Sequence, residues 1–150
     1  MVLAVLSCVV PVLLAGCGAR KGSPTIQVTV TAAADCNNCG GGAASALKFR
    51  VFQVADSGAV RTMLNKGLPW GKHLEAGGAN ILVKAAEDFV SPGASKTVAT
   101  QRDPKATALV IEGNFCKKVG ATWYVVHPLA KKGPLLVTAG PTGLTVTPRK

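Results

Sequence analysis

The sequence predicts an all-β fold, a two-sheet β-sandwich. Two observations carry the prediction. Seven or eight short segments rich in Val, Ile, Leu, Thr and aromatic residues recur along the chain, several alternating apolar with polar side chains. Between them stand clusters of Gly, Pro, Asn and Asp, which break helices and make tight turns.

Ile26, Val28 and Val30 alternate with Gln27, Thr29 and Thr31, the period of a half-buried strand. Asp35 to Ala44 contains Cys36-Asn37-Asn38-Cys39 and then Gly40, Gly41 and Gly42, a loop composition. Leu47 to Val54 predicts the second strand, with Leu47, Phe49 and Val51 on one face and Lys48 and Arg50 on the other. The phase breaks at Phe52 and Val54, so a bulge or a second packing surface is expected there. Ala59 to Asn65 predicts a short helix, ended by Gly67 and Pro69. Trp70 and Leu74 are expected to plug one end of the core. Ile81 to Val90 is apolar without clean alternation and reads as helix-to-strand or a bent strand.

Ser91-Pro92-Gly93 is a turn signal, and Ser95 to Thr100 is a short strand. Asp103-Pro104 turns the chain into Thr107 to Phe115, with Leu109, Ile111 and Phe115 on one side. Thr122 to His127, Leu135 to Ala139 and Leu144 to Thr147 complete the set, the last two joined by Gly140-Pro141-Thr142-Gly143. Phe49, Val51, Ile111, Phe115 and Trp123 are expected in one core.

The N-terminal stretch has a different character. Met1 to Gly16 carries no charge, and its apolar run Val9 to Leu14 is too short to span a bilayer. Leu14-Ala15-Gly16-Cys17 resembles the lipobox of bacterial lipoproteins. Small residues let the backbone enter the peptidase groove, and a thiolate is the nucleophile that accepts the diacylglycerol. Residues 1–16 are therefore read as a signal peptide, Cys17 as the lipidation site, 17–24 as a tether and 25–150 as the sandwich domain. In that family Asp after the cysteine holds a protein in the inner membrane, so Gly18 points to the outer one.

The chain has 150 residues, one domain's worth, and its net charge of +10 lies wholly outside the signal segment. No uncharged apolar run after Cys17 is long enough to cross a membrane. A basic balance permits contact with anionic lipid headgroups, nucleic acid or an acidic protein face. The basic residues are scattered, aromatics are few and no nucleic-acid motif is present, so nucleic acid is not expected as a partner.

No catalytic residue is expected. Neither His73 nor His127 stands near a nucleophile turn, and His127, preceding Pro128 at a strand end, reads as a surface residue. Glu87 and Asp88 would face opposite ways on a strand, a poor acid/base pair. Once Cys8 leaves with the signal and Cys17 carries lipid, Cys36, Cys39 and Cys116 remain, an odd number. A redox use of Cys36-x-x-Cys39 needs a helix start that the following glycines deny. A zinc site needs about four ligands. The favoured reading is a Cys36–Cys39 disulfide that shapes the loop; free thiols, or a bridge from either cysteine to Cys116, stay open. No metal or cofactor is expected apart from covalent lipid on Cys17.

Several segments together resemble one family, the TssJ (SciN) lipoproteins of the type VI secretion system. These are the lipobox, Leu47 to Val54, Trp70 to Leu82, Phe89-Val90-Ser91-Pro92-Gly93, Val110 to Phe115 and Thr122-Trp123-Tyr124. Cys116 and Tyr124 depart from the family, which usually has arginine at both places, and the loop cysteine pair is not part of its pattern. The resemblance implies a transthyretin-like β-sandwich with small helical additions and no enzymatic activity. It implies an outer-membrane lipoprotein that faces the periplasm and binds the C-terminal periplasmic part of the inner-membrane protein TssM. The loop between the first two strands is a main contact there, which assigns partner binding to Asp35, Cys36, Asn37, Asn38, Cys39, Gly40, Gly41 and Gly42. No small-molecule substrate is implied. The competing class is a periplasmic binding, redox or metal lipoprotein that uses the Cys36/Cys39 loop.

Overall fold

A computed structural model describes residues 23–67, 70, 72, 77–130 and 133–147. Eight strands form two four-stranded sheets: β1 (Thr25–Ala32), β2 (Leu47–Val54), β3 (Ile81–Val90), β4 (Ser95–Gln101), β5 (Ala108–Gly113), β6 (Tyr124–Pro128), β7 (Leu135–Ala139) and β8 (Leu144–Val146). One sheet has the order β4-β1-β7-β8 and the other β3-β2-β5-β6. β1 and β7 run parallel, and every other pair is antiparallel. The two sheets and the strand content give the expected β-sandwich.

The inner faces follow from period-two alternation. β1 turns Val28, Val30 and Ala32 inward, β7 gives Leu135, Val137 and Ala139, and all are buried. β2 supplies Leu47, Phe49 and Val51, and β5 supplies Leu109 and Ile111. Phe115 and Trp123 join the same core as Phe49, Val51 and Ile111. The fourth inward residue of β2 is Gln53, fully buried. Its Nε2 donates to the Gln101 carbonyl at 2.7 Å, and its Oε1 accepts from the Asp103 N–H at 2.7 Å. A buried amide costs little when bonded in this way, and here it stitches the end of β2 to the far sheet.

The phase break in β2 has both expected causes, with one change. The extra residues lie on β3, not β2: the pairing jumps from Val51↔Ala86 to Phe52↔Lys84, and from Gln53↔Val83 to Val54↔Ile81. β3 is therefore a bent strand. The outer face at Phe52, Val54 and Val110 is covered by helix α1 (Ser57–Leu64), which buries Val60, Met63 and Leu64. α1 starts two residues before the predicted position because Asp56 caps it, accepting from Gly58 N at 2.8 Å and Ala59 N at 3.0 Å.

Trp70 does not plug the core. It lies at 4.4 Å over the guanidinium of Arg50, on the outer face of β2. Leu74 and His73 lie outside the described residues, as do the lipobox and Cys17. The outer face of the other sheet is uncharged along β1, where Thr29 and Thr31 hydrogen-bond Thr97 and Ser95 of β4, each at 2.9 Å.

Candidate docking site

β1 ends, β2 begins, β5 ends, β6 begins, β7 ends and β8 begins at one end of the sandwich. β3 ends and β4 begins there too, so four connections meet: residues 33–46, 91–94, 114–123 and 140–143. β1 begins at the opposite end. Eight residues at about 3.3 Å each separate the two ends by roughly 26 Å along β1.

Three of them, 33–46, 114–123 and 140–143, are bonded into one unit. Asn37 N–H donates to Gly140 O and Asn38 N–H to Pro141 O, each at 3.1 Å. The Asn37 side chain gives Nδ2–H to Ser45 Oγ at 3.0 Å and to Ala46 O at 3.1 Å, and its Oδ1 accepts from Cys116 N–H at 2.9 Å. Leu144 N–H reaches Thr122 O at 2.7 Å. Gly143 permits that approach, since a Cβ there would stand 2.6 Å from Thr122 Cβ and Oγ1.

The predicted Cys36–Cys39 disulfide is not formed. Cys39 pairs with Cys116, their Cα atoms 5.5 Å apart, and Cys36 is a free, buried thiol. Asn37 is the reason. Its φ of 51° turns the chain between the two cysteines, so Cys36 joins the apolar core while Cys39 faces the 114–123 loop. Burial also pushes the Cys36 thiol above its ordinary pKa, with Asp35 adding to the shift, the opposite of what a reactive thiol needs. The redox and metal reading thus loses its pair of thiols.

The predicted contact residues divide into two groups. Cys36 and Asn37 are buried and serve as the anchor. Asp35, Cys39, Gly40, Gly41 and Gly42 are exposed, with Asn38 half-buried. Asn38 Oδ1 accepts from the N–H groups of Gly40 and Gly41, both at 3.1 Å, which folds the tip back on itself. Gly40 and Gly41 take φ near +100°, a conformation that side chains resist. The neighbouring loop adds Val119, 48% exposed, beside a cleft of about 290 Å³ between residues 119–122 and 138–145. Lys118 Nζ lies 4.2 Å over the Trp123 ring.

The strand pattern did not reveal a charged row on the outer face of the second sheet. Arg50 stands between Glu87 of β3 and Glu112 of β5 in register. Its Nε is 3.2 Å from Glu87 and its Nη1 3.6 Å from Glu112. Lys48 and Arg50 hold the Glu87 carboxyl down to about pKa 2. Burial raises Glu112 to about 7 against the pull of Arg50. Asp88 points elsewhere, to Lys96 at 3.0 Å, so the two neighbouring acids do face apart. His127 is half-buried on β6, opposite Leu109. Among the described residues no group of three or more His, Cys, Asp or Glu is placed to hold a metal.

The model of a family described as "Type VI secretion lipoprotein, VasD, EvfM, TssJ, VC_A0113" matches residues 24–147. Solved structures share the fold. A chain of a type VI membrane complex aligns with TM-score 0.74 and 19% identity, over 83% of this chain and 98% of its own. Serratia marcescens Lip, a membrane-bound component of the type VI secretion system, gives 0.70 and 17%, over 83% and 97%. The type VI lipoprotein TssJ1 of Pseudomonas aeruginosa gives 0.66 and 16%, over 85% and 99%. A structure described as the TssM C-terminal domain from EAEC also matches, at 0.70 and 20%, over 83% and 98%. No curated protein matches. With the family model spanning both sheets and all four of the meeting connections, the chain belongs to the type VI secretion lipoprotein family.

Proposed function

We propose that this protein is anchored by lipid on Cys17 to the inner leaflet of the outer membrane and docks the C-terminal periplasmic domain of TssM. Its role is structural, within the membrane complex of the secretion system. The observation that carries the reading is the bonded loop unit, 33–46 with 114–123 and 140–143, at the end of the sandwich remote from the tether. A docking surface so placed reaches away from the membrane while the anchor stays in it. The disulfide and Asn37 order the base of the loop before binding, which lowers the entropy lost on association. The exposed tip then supplies backbone that another chain can approach closely.

Two experiments test this. Cys17→Ser is expected to release the protein from membranes, because two or more acyl chains are needed for a stable anchor. A Ser variant that fractionates with outer membrane as the parent does would contradict the anchoring. Deleting Gly41 and Gly42 leaves the buried base intact and is expected to leave the melting curve unchanged. Affinity for the TssM domain should fall by at least about tenfold, near 1.4 kcal/mol. Unchanged affinity would move the interface off the loop tip.

A further inference from the structure

The tip of the first connection hangs on one covalent link. Its base is secured on both arms. Asn37 and Asn38 hold one, and on the other Ser45 N–H donates to Cys36 O at 3.1 Å and Ser45 Oγ donates to Asn37 O at 3.0 Å. Residues 39–43 lie beyond that base and are exposed. The hydrogen bonds of Gly40 and Gly41 stay within the loop, on Asn38 Oδ1. Among the described residues, the Cys39–Cys116 disulfide is the one bond from 39–43 to another connection. Both of its cysteines are exposed on the docking surface itself, where a thiol arriving from solvent reaches them. Cys36 stands apart. It is buried in the core, Asn37 turns the chain between it and Cys39, and burial holds its thiol protonated. It is therefore no nucleophile for reshuffling, and the bridge opens and closes between the same two cysteines.

We infer that the Cys39–Cys116 bridge is a redox-modification site, opened by a dithiol of the thiol–disulfide oxidoreductase class, and that its state sets the affinity of the docking loops for their partner. This rests on the docking reading, because the residues set free are those proposed to make the contact. A thiolate of the dithiol attacks the sulfur of Cys39 or Cys116, breaking the S–S bond and displacing the other cysteine, which takes up a proton. The second thiol of the reductant then attacks the mixed disulfide and leaves as the reductant's own disulfide, freeing the remaining cysteine as a thiol. Two electrons pass from the dithiol to the protein. With the bridge open, Asn37 still holds the base through Cys116 N–H, Ser45 and Ala46, so the change is confined to the tip. Gly40, Gly41 and Gly42 then regain wide backbone freedom. Ordering them on binding costs entropy that the closed bridge has already removed. The bridged form is the binding form.

The test uses the chain from position 17 onward carrying Cys17→Ser, so that Cys36, Cys39 and Cys116 are its only cysteines. The folded, oxidised protein is treated with dithiothreitol, alkylated with iodoacetamide and desalted, so that the partner never meets reductant. Mass mapping should find Cys39 and Cys116 alkylated and Cys36 not. Affinity for the TssM C-terminal domain should fall by at least about tenfold on reduction. The Cys39→Ser/Cys116→Ser variant, which carries no alkyl group, should bind as weakly, and protein reduced and then reoxidised should recover the parent affinity. Hydrogen–deuterium exchange should rise in residues 39–44 and stay unchanged in β2 and β5, which keeps loss of fold apart from release of the tip. Equal affinity of the oxidised and reduced forms would overturn the inference. So would a bridge that resists dithiothreitol until the protein is unfolded, or alkylation of Cys36 in the folded chain. Deleting Gly41 and Gly42 separates this inference from the docking reading. If the deletion weakens binding and reduction does not, redox control alone falls; if neither form binds the domain, both fall.

Discussion

Asn37 shows how much one residue can decide. It supplies the left-handed turn, a buried side chain and three side-chain hydrogen bonds across two connections. Replacing it by Ala leaves buried partners unsatisfied and strains the turn, so Asn37→Ala should cost about 3 kcal/mol in chemical denaturation. Asn37→Gly keeps the turn and should cost less. Glu112 offers a second test at this scale. Its carboxyl titrates near 7 when folded and near the ordinary glutamate value when unfolded. Between those values the folded state holds the extra proton, so this group's contribution to stability falls as pH rises through 7. Glu112→Gln should flatten the stability profile between those limits, removing a slope worth about 3 kcal/mol. Glu87 works in the other direction: its lowered pKa favours the folded state above the ordinary carboxylate range, and that contribution is lost as pH falls toward 2. Neither role was legible in the sequence. Arg50, Glu87 and Glu112 sit at the polar positions of their strands, where the plain expectation is solvent, and only the cover near Trp70 makes the row matter.

At the scale of elements, the strands were legible and the staple was not. Alternation placed β1, β7 and the inner face of β2, because one buried face imposes period two. The same logic located the trouble at Phe52 and Val54, but the extra residues fell in β3, whose apolar run gives no phase to read. The start of α1 could have been found from Asp56, which stands just before it as a cap. The cysteine pairing could not. Spacing drew Cys36 and Cys39 together, whereas Cys39 and Cys116 lie 77 residues apart and meet only because β2 and β5 are neighbours. Closing a loop of that length removes chain entropy from the unfolded state, so Cys39→Ser/Cys116→Ser should lower stability by about 2–4 kcal/mol. Gly143→Ala is a test of the loop unit without redox chemistry. Its Cβ has no room against Thr122, and unfolding should show a loss of about 1–3 kcal/mol.

At the scale of the molecule, the proposed function separates three tasks along one axis: a lipid anchor on Cys17, the core and the docking loops. The core was readable because Phe49, Ile111 and Trp123 carry their burial in their patterning, and Phe49→Ala should cost about 3–5 kcal/mol. The site was readable only in outline. Two of the eight residues assigned to contact, Cys36 and Asn37, are the buried base of the loop, and no pattern in the sequence marks the 114–123 and 140–143 connections as bonded to it. The most direct test of the central claim is hydrogen–deuterium exchange of the protein alone and with the TssM C-terminal domain. Docking through the loop unit predicts added protection in residues 38–45, 114–122 and 140–143, with the threonine face of β1 and β4 unchanged. Protection confined to that threonine face, with all three loops exchanging as in the free protein, would contradict it.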